Sequence, residues 1–141
     1  MRGIAYTYAG FAEWLREDLQ VNADPLFAVR ALKKVVSAVR DIDSEVDFEQ
    51  AHSCPASTGD DDWDRVIRAA AEMTYAERRP GGTRQWFEES VPPPDVWFYP
   101  TSRPSRFAFN LERTPAPFLD RRVCLGEGNL RSAKDLDRPW I

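Results

Sequence analysis

Asp24 to Ile42 reads DPLFAVRALKKVVSAVRDI, and this stretch decides the fold class. Leu26, Val29, Leu32, Val35, Val36, Val39 and Ile42 recur at three- and four-residue spacing, while Arg30, Lys33, Lys34 and Arg40 fall off that stripe. Such a pattern buries one face of a helix and leaves the other in water. Asp24 and Pro25 mark its start, because Asp accepts the orphan N–H groups of a first turn and Pro at the first helical position has no N–H to lose. The helix is expected over 25–42.

Upstream, Tyr8, Phe11, Ala12, Leu15 and Leu19 keep the same period, with Glu13, Arg16, Glu17 and Asp18 pointing elsewhere, which predicts a helix over 7–20. The two helices form a hairpin. Downstream, Asp43 to Thr58 reads as a loop with room for one short turn of helix, and its His52 as an ordinary loop histidine. Asp60, Asp61 and Asp62 then precede Trp63, Val66, Ile67, Ala70 and Met73. Acids at that place suit the positive end of a helix dipole, so a third helix is expected over 62–79, ended by Pro80-Gly81-Gly82.

The last third has another texture. Seven of the 11 prolines lie between Pro92 and Pro117, among Trp97, Phe98, Tyr99, Phe107, Phe109 and Phe118. This segment is expected to wrap over the helices. Ser105 to Arg113 fits either a helix stacking Phe107 on Leu111 or a strand alternating Phe107, Phe109 and Leu111, with helix favoured; Val123-Cys124-Leu125 is the candidate for one short strand. The expected fold is mainly α: a single domain over 1–141, a bundle of three or more helices in 1–80, a Pro-, Arg- and aromatic-rich segment packed on it over 81–134, and a tail over 135–141.

Composition narrows function. At 141 residues, 43% hydrophobic and 30% charged, the chain is one folded domain in size and content. Its net charge of −4 opposes nucleic-acid binding by bulk electrostatics. The imbalance is local, since residues 1–70 hold 8 basic against 13 acidic side chains and residues 71–141 hold 11 against 10. Two cysteines, Cys54 and Cys124, suit a reducing compartment; with no apolar run of membrane-spanning length and no apolar leader after Met1-Arg2-Gly3, the cytoplasm is expected.

Chemical motifs are sparse. A single histidine and two separated cysteines cannot readily complete a four-ligand zinc site, so no metal and no cofactor is expected. Cys54 lies two residues from His52 but has no nucleophile signature around it. Asp60 to Asp64 lack the central glycine of a calcium loop and read as capping acids. Gly126-Glu127-Gly128 has only part of a dinucleotide-binding pattern and reads as a turn. The remaining feature is the arginine series Arg103, Arg106, Arg113, Arg121 and Arg122 among aromatics, residue types enriched at protein interfaces and able to stack on single-stranded bases. The alternative is that the aromatics merely anchor a wrapping segment.

Ser105-Arg106-Phe107 through Thr114-Pro115, then Pro117-Phe118-Leu119, Arg121-Arg122-Val123, Gly126 and Asn129-Leu130, resembles the closing segment of small antitoxin-like proteins of bacterial toxin–antitoxin loci, over about 30 residues. The resemblance implies a protein that contacts and restrains a partner. Many such proteins carry a helix-turn-helix module before this region; here no basic recognition helix follows a glycine-containing turn. The expectation is a non-enzymatic interaction protein binding a protein partner, a toxin by resemblance, through Trp97, Phe98, Arg103, Arg106, Phe109, Phe118, Arg121 and Arg122. Two alternatives stay open: a small enzyme using Asp60 to Asp64 or Glu88-Glu89 in acid–base chemistry, and a DNA-associated regulator. Membrane association is not expected, and self-association is left open.

Overall fold

The computed structural model describes residues 6–22, 24–88, 94–101 and 103–138. Among them are six α-helices: α1 (Tyr8–Val21), α2 (Pro25–Asp41), α3 (Glu45–Ala51), α4 (Asp61–Arg78), α5 (Phe107–Glu112) and α6 (Ala116–Leu119). The fold is mainly helical, with no sheet among the described residues. The expected helices over 7–20, 25–42 and 62–79 appear as α1, α2 and α4, within one residue at either end.

The caps explain the starts. Thr7 accepts from the Gly10 N–H at 3.0 Å, Asp24 from Leu26 at 3.1 Å, and Asp60 from Trp63 at 3.0 Å. Helix α4 is the centre of the bundle, packed on α1, α2, α6 and a single turn over Gln85–Glu88. Three consecutive alanines, Ala69, Ala70 and Ala71, are all fully buried. Successive residues of a helix point about 100° apart, so these alanines let neighbours close in from several directions at once.

His52 is not a loop histidine. The acidic segment after α2 forms the two turns of α3, whose apolar residues Phe48 and Ala51 reach the core, and His52 caps it with no exposed surface. Its Nδ1 lies 2.8 Å from the Phe48 carbonyl and its Nε2 2.8 Å from Thr74 Oγ1, which in turn lies 2.8 Å from the Tyr8 hydroxyl. The arrangement is satisfied with a neutral ring: Nδ1–H donates to Phe48, and the Thr74 hydroxyl donates to Nε2. A polar chain therefore ties α1, α3 and α4 through the middle of the core.

The carboxy-terminal segment wraps the bundle as the prolines and aromatics implied. Phe118, Val123, Leu125 and Leu130 enter the common core, and Phe98 meets Trp63 edge-on at 5.4 Å between ring centres. Val123-Cys124-Leu125 makes no strand; it contributes one isolated parallel bridge, Phe98 to Val123. Arg122 sets this up with φ 55°, a left-handed turn after α6 whose carbonyl accepts the Phe98 N–H at 3.0 Å.

The expected tail is likewise docked through its described part. Asp135 is 2% exposed and accepts from Arg40 Nη1 at 3.0 Å and Arg138 Nε at 2.8 Å. Arg40 itself, off the apolar stripe of α2, is 4% exposed and forks onto Glu77 of α4 at 2.9 and 2.7 Å. Burial alone would raise the Asp135 carboxyl, but the Ser132 N–H, Arg138 and Arg40 hold it below the usual carboxylate range.

Candidate functional site

The eight residues expected to bind a partner do not form one surface. Phe118 is fully buried and Phe98 packs on Trp63, so both hold the segment to the bundle. Trp97 is half-buried, edge-on to Phe107 at 6.5 Å. Arg121 turns inward, donating to the Phe87 carbonyl at 2.6 Å, the Pro117 carbonyl at 2.8 Å and Glu72 of α4 at 2.9 Å. These bonds make it a structural bolt between α4, α6 and the Gln85–Glu88 turn. Arg121→Ala is accordingly expected to lower stability by about 2 kcal/mol, as loss of charge-assisted hydrogen bonds does, read as a fall in melting temperature. Arg122 is exposed, with its side chain on the Pro94 carbonyl at 3.2 Å.

Arg103, Arg106 and Phe109 remain, and these three do lie together. A turn over Pro104–Arg106 runs directly into α5, the helix favoured over 105–113. None of the residues of α5 is buried. Phe109, 43% exposed, carries the guanidinium carbon of Arg106 at 4.2 Å from its ring centre and that of Arg113 at 3.7 Å. Stacking of this kind pre-orders long side chains that would otherwise lose rotamer freedom on binding.

Beside α5 opens a groove of about 440 Å³ lined by Tyr99, Arg103, Arg106, Phe109, Asn110, Arg113, the Gly126 to Asn129 turn and Arg131. Gly126 allows the turn to lie against α5, because a Cβ there would meet Asn110 Oδ1 at 2.8 Å. The floor is laced by side chains: Asn129 Nδ2 donates to Asn110 Oδ1 at 3.0 Å, Asn110 Nδ2 to the Tyr99 hydroxyl at 3.1 Å, and the Tyr99 hydroxyl to the Arg103 carbonyl at 3.0 Å. The Glu127 N–H closes the rim on the Arg113 carbonyl at 3.0 Å. Thus the Gly126-Glu127-Gly128 turn forms one wall of the groove.

Arg113, Tyr99, Asn110 and Arg131 were missing from the expected site. Arg113 had a signal, since residues 106, 109 or 110, and 113 share one helical face. Arg131 had none, as it reaches the groove only through the fold.

Three of the acids proposed for acid–base chemistry are occupied structurally. Asp60 caps α4, Asp62 pairs with Arg65, and the buried Asp64 receives the Thr58 N–H and hydroxyl, both at 2.8 Å, and the Ser57 hydroxyl at 2.6 Å. Glu88 is exposed, and Glu89 lies outside the described residues. Cys54 is exposed and Cys124 buried, both free; burial pushes the Cys124 thiol up. Among the described residues no three His, Cys, Asp or Glu side chains converge, and no helix is long and apolar enough to cross a membrane.

No family model, curated protein or solved structure matches the chain.

Proposed function

We propose that this chain is a cytoplasmic, non-enzymatic interaction protein, antitoxin-like in role, that binds and restrains a protein partner through the groove beside α5. The observation that carries this reading is the Arg106–Phe109–Arg113 stack: three large side chains, held in place by one another, with both arginines flanking a short helix that has no fully buried residue. Exposed and pre-ordered arginine and aromatic groups are the types that supply most hot-spot energy.

Nucleic acid fits less well. The Phe109 ring already carries two guanidiniums, so a base could stack on it only by displacing them, and the chain is acidic as a whole. The free thiols of Cys54 and Cys124 support a reducing compartment.

The test is to identify the partner by crosslinking and affinity capture, then to measure its Kd for wild type and for Arg106→Ala and Arg113→Ala variants. Each substitution is expected to cost about 2 kcal/mol, roughly 30-fold in Kd, with an unchanged melting temperature because neither side chain supports the core. Unchanged affinity in both variants would sink the reading.

A further inference from the structure

Resting on that reading, we propose that the occupant of the groove is an acidic segment of the partner protein, with two carboxylates about one helical turn or two extended residues apart seated on Arg106 and Arg113. Four arginines, Arg103, Arg106, Arg113 and Arg131, line the groove against one acid, Glu127, which itself sits 3.5 Å from Arg131. This concentration of positive charge stands in a chain whose net charge is −4. A cleft lined by one sign of charge recruits the opposite sign and speeds its encounter.

The Phe109 ring sets an upper limit to the spacing. Its two guanidinium carbons stand 4.2 and 3.7 Å from the same ring centre, so they are no farther apart than the sum of those distances. Carboxylates at i and i+4 of a helix, with Cβ atoms about 5–6 Å apart, fall within that limit. So do those at i and i+2 of an extended chain, roughly 6.7 Å apart. Guanidinium forks take carboxylates two bonds at a time, and the part of Phe109 that its two guanidiniums leave uncovered offers apolar surface for a side chain between the acids. The residual exposure of Phe109, 43%, is that surface.

The experiment uses the whole chain and a short fluorescein-labelled peptide alternating Glu with Leu, read by fluorescence anisotropy. Saturable binding is expected, weakening with added salt and absent for the same peptide with Gln for Glu. The Arg106→Ala/Arg113→Ala double variant should bind at least tenfold more weakly at an unchanged melting temperature. If that variant fails to fold, Arg103→Ala and Arg131→Ala on the groove's other sides should each weaken binding several-fold. No saturable binding, or equal binding of the Gln peptide, overturns the proposal. Tighter binding of oligo-dT, displacement of the peptide by inorganic phosphate at equal concentration, or arginine-dependent self-association in sedimentation overturns it in favour of nucleic acid, a phosphate ligand or a second copy. If these arms fail while the identified partner still depends on Arg106 and Arg113, the acidic-segment proposal falls and the interaction reading stands.

Discussion

Replacing Arg40 with alanine is expected to destabilise the protein by about 3–5 kcal/mol, the cost of leaving buried acids without their counter-charge. The guanidinium is 4% exposed and spends its donors on Glu77, Asp135 and the Leu130 carbonyl at 3.2 Å. Without it, the fully buried Asp135 side chain keeps only Arg138 and the Ser132 N–H, and Glu77, with 14% side-chain exposure, faces the gap. Urea denaturation at neutral pH measures the loss. A value under about 1 kcal/mol would mean that the ion pairs are solvated and weak. Asp135→Leu combined with Arg40→Leu should cost less than the two single changes added, because neither member of the Arg40–Asp135 pair is then left facing the other's absence, although Glu77 still loses its partner.

The same clamp bears on the proposed site. Leu130 stands between Asn129 and Arg131, both on the wall of the groove, and Arg40 holds the Leu130 carbonyl. Loosening Arg40 therefore loosens the site from its far side. Nothing local in the sequence announces this, since Arg40 and Asp135 are 95 residues apart. By its spacing Arg40 is a charge off the apolar stripe of an amphipathic helix, and Asp135 is the start of an expected tail.

Helices α1, α2 and α4 were legible because each has at least 14 residues over which a 3.6-residue period can declare itself, with a capping side chain at its start. Helix α3 spans 7 residues and sends only Phe48 and Ala51 inward, too little for a period. In the carboxy-terminal third, composition gave the wrapping but not the sides. Phe109 and Phe118, or Arg106 and Arg121, are identical in type and opposite in fate, and the 6- and 4-residue helices that carry or adjoin them are too short for spacing to separate inward from outward. The groove was half visible for that reason: its helical arginines could be grouped by spacing, whereas Tyr99, the Gly126 to Asn129 turn and Arg131 meet only in the folded chain.

Acidification is expected to remove about 3 kcal/mol of stability between pH 6.5 and pH 4 through His52 alone. Burial pushes this imidazole from its usual 6.5 down to about 4; the Phe48 carbonyl and Glu49 pull it upward, while Arg84 and Arg79 reinforce the fall. Above pH 6.5 the ring is neutral in both folded and unfolded chains, and its contribution is fully present. Between pH 6.5 and 4 the unfolded chain takes up a proton that the folded chain refuses, so each unit of pH costs about 1.4 kcal/mol. Below pH 4 both forms are protonated and this loss stops growing. The lowered carboxyls of Asp41 and Asp135 act in a separate window, starting near the ordinary Asp value of 3.8 and extending below it. As His52 is the sole histidine, no second imidazole overlaps its range. Urea denaturation at pH 7 and pH 4.5 measures the slope, and His52→Gln should flatten it while lowering stability at pH 7, since the amide cannot fill the space between Phe48 and Thr74. An equally steep slope in His52→Gln would show that His52 is not the source of the acid sensitivity.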